Sequence, residues 1–397
     1  HFMKSKRRNA DAEAPTAMPT PELPPNDLVL NVDPWMALSV VVLLSVGVVL
    51  VYSASAVRTA QAGGNAAEFL MQHLVSVIAG LVALFAVLQC KVDAWGRWAY
   101  PLLGVTFILL IAVWVPGLGR NAHGAQRWLT LGPVGFQPAE LAKLTVVLYL
   151  AHSLAKKRDK ASTFSVGFVP HVLVTGVLVA LILIQPDIGT SAIVFAVLGL
   201  MLFVAGTRIG YLMLAFVAAL PIAAWYVVSH PHAADRLLAF LAPEQHKQTI
   251  GYQVWESLVA FGSGGALGLG LGDGSQKLFI PAAHTDFIFA VIGQELGFVG
   301  VLVVVVGFIG FVGRGLWLSS QLPSRFAMFM IFGLCAWLGL QAAVNMAVVM
   351  SLLPTKGLTL PLVSFGRSSL IISMIAVGIV MRASAELRVQ RSRGMGS

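Results

Sequence analysis

The sequence predicts an all-α integral membrane protein with about ten transmembrane helices and a long extracytoplasmic loop between helices 7 and 8. Three observations carry that prediction. Of 397 residues, 57% are hydrophobic and only 11% are charged, less than half the roughly 25% charge of an ordinary soluble domain. Several apolar runs exceed the roughly 18 residues that cross a hydrocarbon core, and the polar stretches between them are too short to fold as a second body. Most of the Lys and Arg residues, including Lys4, Lys6, Arg7, Arg8, the run around Lys156 and Lys157, and Arg382, Arg388, Arg391 and Arg393, fall on one side of the implied membrane. That bias places both termini in the cytoplasm. The net charge of +9 is therefore a topology signal, and no nucleic-acid partner is expected. Cys90 and Cys335 sit in or at the end of apolar segments, which supports neither a disulfide framework nor a Cys-based metal site.

His1 and Phe2 ahead of Met3 read as an expression scar. Residues 1–34, basic and then rich in proline, read as a disordered cytoplasmic tail. Residues 35–382 form one membrane domain, and 383–397 a basic cytoplasmic tail. The apolar runs at about 35–53, 69–89 and 98–116 are separated by segments carrying Arg58 and by Lys91 to Arg97. The next, 139–155, carries Glu140 and Lys143 three apart on one helical face, where burial in a membrane favours their pairing. Runs 168–185, 190–206 and 209–228 are divided by Pro186-Asp187 and by Gly206-Thr207-Arg208. Arg314 and Arg325 separate 287–313 from 326–350, and the last run, 368–381, is short enough to require extension into its flanks.

The long loop from about Ser229 to Asp286 places apolar residues at helical spacing over 233–241 and 251–261, as helices lying on a membrane surface do. Seven glycines then fall between Gly262 and Gly274. No strand precedes them and no Gly-Lys-Ser/Thr follows, so they read as a mobile flap beside a site rather than a nucleotide loop. His230, His232 and His246 fit the spacing of no closed metal site.

His284-Thr285-Asp286 stands where that loop runs into an apolar helix. Thr285 or Asp286 can cap the free N–H groups of that helix. The same helix end would lower the Asp286 pKa and keep the carboxylate ionised, as suits a general base or a metal ligand, so capping and chemistry both stay open. Glu140 after Pro138 and Asp187 after Pro186 repeat the pattern of an acid at a helix start. Each alone is ordinary helix-terminus chemistry. Together with Arg127, Lys143, Lys277, Lys356 and Arg367 in neighbouring outer segments, the converging helix starts favour a phosphate-bearing ligand.

Across 35–382 the chain resembles the SEDS family of polytopic cell-wall proteins, and its division type in particular. The segments that carry the resemblance are Val51-Tyr-Ser-Ala-Ser, Gly124-Ala-Gln-Arg-Trp, Gln137-Pro-Ala-Glu-Leu-Ala-Lys, Gln185-Pro-Asp-Ile-Gly-Thr, Gly251-Tyr-Gln, His284-Thr-Asp-Phe-Ile-Phe-Ala and Leu353-Pro-Thr-Lys-Gly-Leu-Thr-Leu-Pro. The chain departs from the family pattern at Arg367, where glycine is usual, at Ala282 and Gln294, where glutamate is usual, and at His123, where asparagine is common.

The resemblance implies a peptidoglycan glycosyltransferase that polymerises lipid II, in a bacterial cytoplasmic membrane at the division septum. It implies Asp286 as the catalytic carboxylate, and substrate contacts from Arg127, Gln137, Glu140, Lys143, Lys277, His284, Glu295, Lys356, Ser364 and Ser368. A divalent cation, Mg or Mn, held by Asp286 and substrate oxygens is an open alternative. The implied partners are a class B penicillin-binding transpeptidase, FtsI, with FtsQ, FtsL and FtsB as regulators, besides membrane lipids. A lipid II flippase, or a non-catalytic scaffold of the division complex, are the competing classes.

Overall fold

The computed structural model describes residues 31–61, 67–122, 125–131, 134–157, 160, 162–281 and 283–394. The tail expected at residues 1–34 lies outside the described residues up to position 30, as do His123 and Ala282.

The ten expected spans each have a helix. They are α1 (Pro34–Gln61), α2 (Glu68–Leu88), α3 (Trp95–Ala112), α4 (Pro138–Lys157), α5 (Val169–Ile184), α6 (Ile188–Val204) and α7 (Ile209–Ser229), followed, after the long loop, by α11 (Gly297–Ser319), α12 (Arg325–Val349) and α13 (Arg367–Gly394). Eight of these are long and apolar enough to cross a membrane. The other two depart from that standard for opposite reasons. Helix α4 has 20 residues but carries Glu140, Lys143, Lys156 and Lys157, and α6 has 17, about 25 Å of helix. Two short helices in the long loop, α8 (Pro231–Leu241) and α9 (Tyr252–Gly264), stand where the helical spacing placed them.

Three features differ from an uninterrupted ten-helix reading. The eighth span is split: α10 (Ile288–Glu295) ends at Leu296, and Gly297, at φ 62°, turns the chain into α11. A left-handed residue at that joint favours glycine. The structure is also not purely helical, because β1 (Gly119–Ala122), β2 (Ala125–Leu131) and β3 (Val134–Phe136) form an antiparallel sheet in the order β1-β2-β3. The last helix, expected to end near 381, continues to Gly394 through the segment expected as a tail. Its basic residues find partners there: Arg382 pairs with Glu386 at 2.7 Å and donates to the Leu88 carbonyl at 2.9 Å, and Arg388 reaches Asp33 at 3.4 Å. Asp33 also pairs with Arg314 at 2.7 Å, so α1, α11 and α13 are tied at the end of the bundle away from Asp286.

Helices α4, α12 and α13 form the middle of the bundle, and buried Trp337, Leu148 and Met374 belong to one continuous core. Helix α7 lies at the edge, with only 6% of its apolar stretch buried against protein. Segment 351–366 folds back from α12 toward the core before α13 begins. It approaches α1 so closely that a Cβ at Gly47 would lie 2.7 Å from the Val363 carbonyl oxygen, which only glycine permits.

The glycine run of the long loop is packed, not a free flap. Leu269 and Gly270 donate to the carbonyls of Gln294 and Glu295, while Phe298 and Val299 donate to those of Gly265 and Ala266. A Cβ at Gly268, which sits at φ 83°, would strike the Glu295 carbonyl. The glycines thus form a collar around the break between α10 and α11.

Candidate active site

At one end of the bundle, the starts of α4, α6 and α10 meet segment 351–366, as the recurring acid-at-helix-start pattern suggested. Asp187 caps α6, accepting from the Thr190 backbone N–H at 3.0 Å and the Thr190 hydroxyl at 2.9 Å. Its Oδ2 also accepts from the Gln137 side chain at 3.2 Å. The Gln137 backbone N–H donates to Ser368 Oγ at 3.1 Å, so Gln137 and Ser368 bind the entrances of α4, α6 and α13 to one another. Ser364 Oγ accepts from the Leu360 N–H at 2.8 Å, closing a turn of the loop. These three polar residues hold the walls of the site.

Glu140 and Lys143 form the ion pair that their spacing predicted, at 2.8 Å and buried. The Lys143 ammonium also donates to Gln341 Oε1 at 2.6 Å and lies over the Trp337 ring at 5.4 Å. Gln341 in turn donates to the Thr359 carbonyl at 3.0 Å. A buried charge is tolerated when it is paired and hydrogen-bonded, and this network links α4 and α12 to the loop above them.

Lys277 and Glu295 meet at 2.6 Å, both buried. Ser53 of α1 donates to Glu295, and Lys277 donates to the Gly272 carbonyl at 2.8 Å. Their charges are satisfied inside the protein, so the geometry gives them the work of fastening the glycine collar to α1 and α10.

His284 is wedged between Phe69 at 4.7 Å and Phe365 at 5.5 Å between ring centroids, and its carbonyl accepts from the Phe365 N–H at 2.9 Å. Those contacts set the path of the chain into Asp286. Beside them Arg367 donates to Gln72 at 2.7 Å, tying α13 to α2. Arg367→Gly is expected to lower the melting temperature by the equivalent of about 1 kcal/mol, the loss of one half-exposed charged hydrogen bond. An unchanged melting curve would show that the contact contributes nothing.

Asp286 stands apart from these pairs. The helix after it begins at Ile288, with Phe287 at the N-cap and no side-chain cap bond, so neither Thr285 nor Asp286 caps it. The backbone carbonyl of Asp286 is held by Asn345 at 2.9 Å. Its carboxylate lies against Gly357, where a Cβ would come within 3.3 Å of Oδ2. Among the described residues, no side chain hydrogen-bonds or pairs with this carboxylate.

The expected drop in its pKa is reversed. Burial pushes the half-buried carboxyl up to about 6, against the pull of Arg127 and Arg236 and with help from Asp187. Desolvation wins because no helix N–H or cation touches the carboxylate directly. Lys356, next to Gly357, is pushed below the ordinary lysine range by burial, with Arg236 adding to the shift and Asp187 opposing it.

Of the residues expected to contact substrate, the structure brings Arg127, from β2, within electrostatic reach of Asp286, and Lys356 belongs to the segment that meets Asp286 at Gly357. It also adds Arg236 of α8, which sequence reasoning passed over. Arg236 is an exposed loop cation, and no local pattern distinguishes it from a solvated one. Among the described residues, no three His, Cys, Asp or Glu side chains gather as a metal cage.

Comparison with known proteins agrees with this architecture. The cell cycle protein family that comprises FtsW, RodA and SpoVE matches residues 34–389. A probable peptidoglycan glycosyltransferase FtsW from Trichlorobacter lovleyi is 43% identical over 355 residues, covering 89% of this chain and 93% of that protein. Another from Geobacter sp. is 42% identical over 349 residues, covering 88% and 95%. Among solved structures, one described as structural coordination of polymerization and crosslinking by a peptidoglycan synthase complex superposes with a TM-score of 0.73 at 29% identity, covering 89% of this chain and 97% of that one. The rod shape determining protein RodA of Thermus thermophilus gives 0.66 at 28% identity, covering 89% and 96%. With the family matched from residue 34 to residue 389 and relatives this similar along nearly the whole length, the chain belongs to the FtsW, RodA and SpoVE family of cell cycle proteins.

Proposed function

We propose that the chain is a peptidoglycan glycosyltransferase of the FtsW type that polymerises lipid II on the outer face of the cytoplasmic membrane at the division septum, with both termini cytoplasmic. The observation that carries this reading is Asp286, a carboxylate with no capping duty and a pKa raised to about 6, facing cations at one end of a membrane bundle. Asp286 accepts the proton of the acceptor sugar's 4-hydroxyl as that oxygen bonds to the donor's anomeric carbon. The bond to the lipid diphosphate breaks in the same displacement, and its electron pair leaves with the diphosphate. Inversion at the anomeric carbon follows. Lys356, Arg127 and Arg236 offset the charge that develops on the leaving group. A divalent cation, Mg or Mn, where bound by Asp286, would supply Lewis-acid charge to the diphosphate. The partner is a class B transpeptidase of the FtsI type, with FtsQ, FtsL and FtsB as regulators.

Purified protein with its transpeptidase partner and lipid II is expected to yield glycan strands on a gel. Absence of strands, together with transfer of fluorescent lipid II between leaflets, would overturn the reading in favour of a flippase. The pH profile gives a second check. A base must be unprotonated, so kcat/KM is expected to rise through an apparent pKa of about 6 and level off above it. A profile that stays flat well below that pH would remove Asp286 from the base role.

A further inference from the structure

The end of the bundle away from Asp286 carries a second concentration of charge. Asp33, just ahead of α1, is buried and its carboxylate is fully engaged. Oδ1 accepts from the Trp35 backbone N–H at 3.0 Å, while Oδ2 meets Arg314 of α11 at 2.7 Å and Arg388 of α13 at 3.4 Å. A third guanidinium joins them through an aromatic ring. Arg314 lies over Trp317 at 4.2 Å from the ring centroid and Arg391 of α13 at 5.5 Å, and Arg391 also donates to Gln321 at 3.0 Å.

Three positive charges thus meet one negative charge, and among the described residues no second carboxylate pairs with any of them. Like charges held this close repel one another unless a further anion is shared between them. Donors are left over as well. Arg314 gives only its Nε–H to Asp33, so among the described residues both terminal nitrogens of its fork lack a partner. A guanidinium fork with open donors matches the paired oxygens of a phosphate. The surroundings indicate where that phosphate comes from. Arg314 and Trp317 occupy the last two turns of α11, and Trp317 and Trp35 are 41% and 68% exposed, as tryptophans at the headgroup boundary of a membrane are. On the Trp317 face of α11, Gly313 and Ile309 follow at four-residue steps and are exposed too. A Cβ at Gly313 would meet no atom within 4 Å, which leaves apolar room for an acyl chain running away from the arginines.

We propose that Arg314, Arg388 and Arg391 bind the phosphate of an anionic phospholipid on the membrane face away from Asp286, with an acyl chain lying along Gly313 and Ile309. The headgroup shares its charge between α11 and α13, where Asp33 alone leaves the arginines unbalanced, and so completes the clamp that Asp33 begins. It also fixes the depth at which this end of the bundle sits in the bilayer.

The test is a binding titration that needs no turnover. The full chain in detergent is titrated with phosphatidylglycerol and, separately, with phosphatidylcholine, and bound lipid is counted by native mass spectrometry. Phosphatidylglycerol is expected to bind in preference, and inorganic phosphate at the same concentration is expected not to displace it. Arg391→Gln is the informative variant, because it leaves both Asp33 pairs in place. It should weaken phosphatidylglycerol binding about fivefold, the contribution of one arginine at an anionic lipid surface. Arg97→Gln removes an exposed arginine from the start of α3 at the same end of the bundle and should leave binding unchanged. Gly313→Leu, which fills the room for the chain, should weaken it. Equal binding of the two lipids, or an equal loss in Arg97→Gln, would reduce the cluster to general surface charge. Displacement by inorganic phosphate, with no effect of Gly313→Leu, would make it a site for a free anion. Any of these results overturns the proposal.

Discussion

Asp286→Asn is expected to lower lipid II polymerisation by about 10²- to 10⁴-fold, the usual contribution of a positioned general base, without lowering the melting temperature at neutral pH. The first half follows from the chemistry proposed for the carboxylate. The second follows from its environment. Burial raises the folded-state pKa from 3.8 to about 6, so the stabilising contribution of this group is present below the unfolded value and is lost as pH rises through about 6. At neutral pH the wild-type protein therefore carries a charge that its surroundings disfavour, and the neutral amide removes it. No helix cap is lost, because Phe287 occupies the N-cap. The measurement is gel-resolved glycan product alongside thermal melting and transpeptidase binding. Full activity in the variant would reduce Asp286 to a structural residue and turn attention to Asp187. Loss of activity accompanied by loss of fold would show that the backbone held by Asn345, rather than the carboxylate, is what matters.

The second large effect concerns stability. Glu295→Leu is expected to cost about 3–5 kcal/mol, because it leaves the Lys277 ammonium buried without its partner. The pair is 2.6 Å apart and both side chains are nearly inaccessible, so water cannot compensate. Replacing both, Lys277→Met with Glu295→Leu, should recover most of the loss, since apolar residues of similar volume often replace a buried pair at little cost. The double-mutant cycle, read as melting temperature in detergent, isolates the interaction. A single variant that keeps its melting temperature but loses polymerisation would instead return Lys277 and Glu295 to contact with substrate.

The two residues illustrate how far a sequence reaches. Apolar run length is a local property, so every span expected from it has its helix, including α6 at 17 residues. The Glu140–Lys143 pair was legible for the same reason, since three positions along a helix put both groups on one face. The small sheet was legible in principle: Trp128-Leu129-Thr130-Leu131 before Gly132-Pro133 carries residues suited to a strand ahead of a turn. It is too short to stand out against the membrane runs around it.

What the sequence by itself determined was the bundle of apolar helices and the position of the acids near helix starts, because hydrophobic length and helix-terminus chemistry are read within a few residues. What only the tertiary structure decided was which of those charges are paired inside the protein. Ser53 meets Glu295 across 242 positions and Gln137 meets Ser368 across 231. Through such contacts the pairs Lys277–Glu295 and Glu140–Lys143 become part of the scaffold, while Asp286 caps no helix and is left desolvated against Gly357. Ionisation state and availability depend on how much water and which partners surround a group, and those are set by chain segments far apart in the sequence.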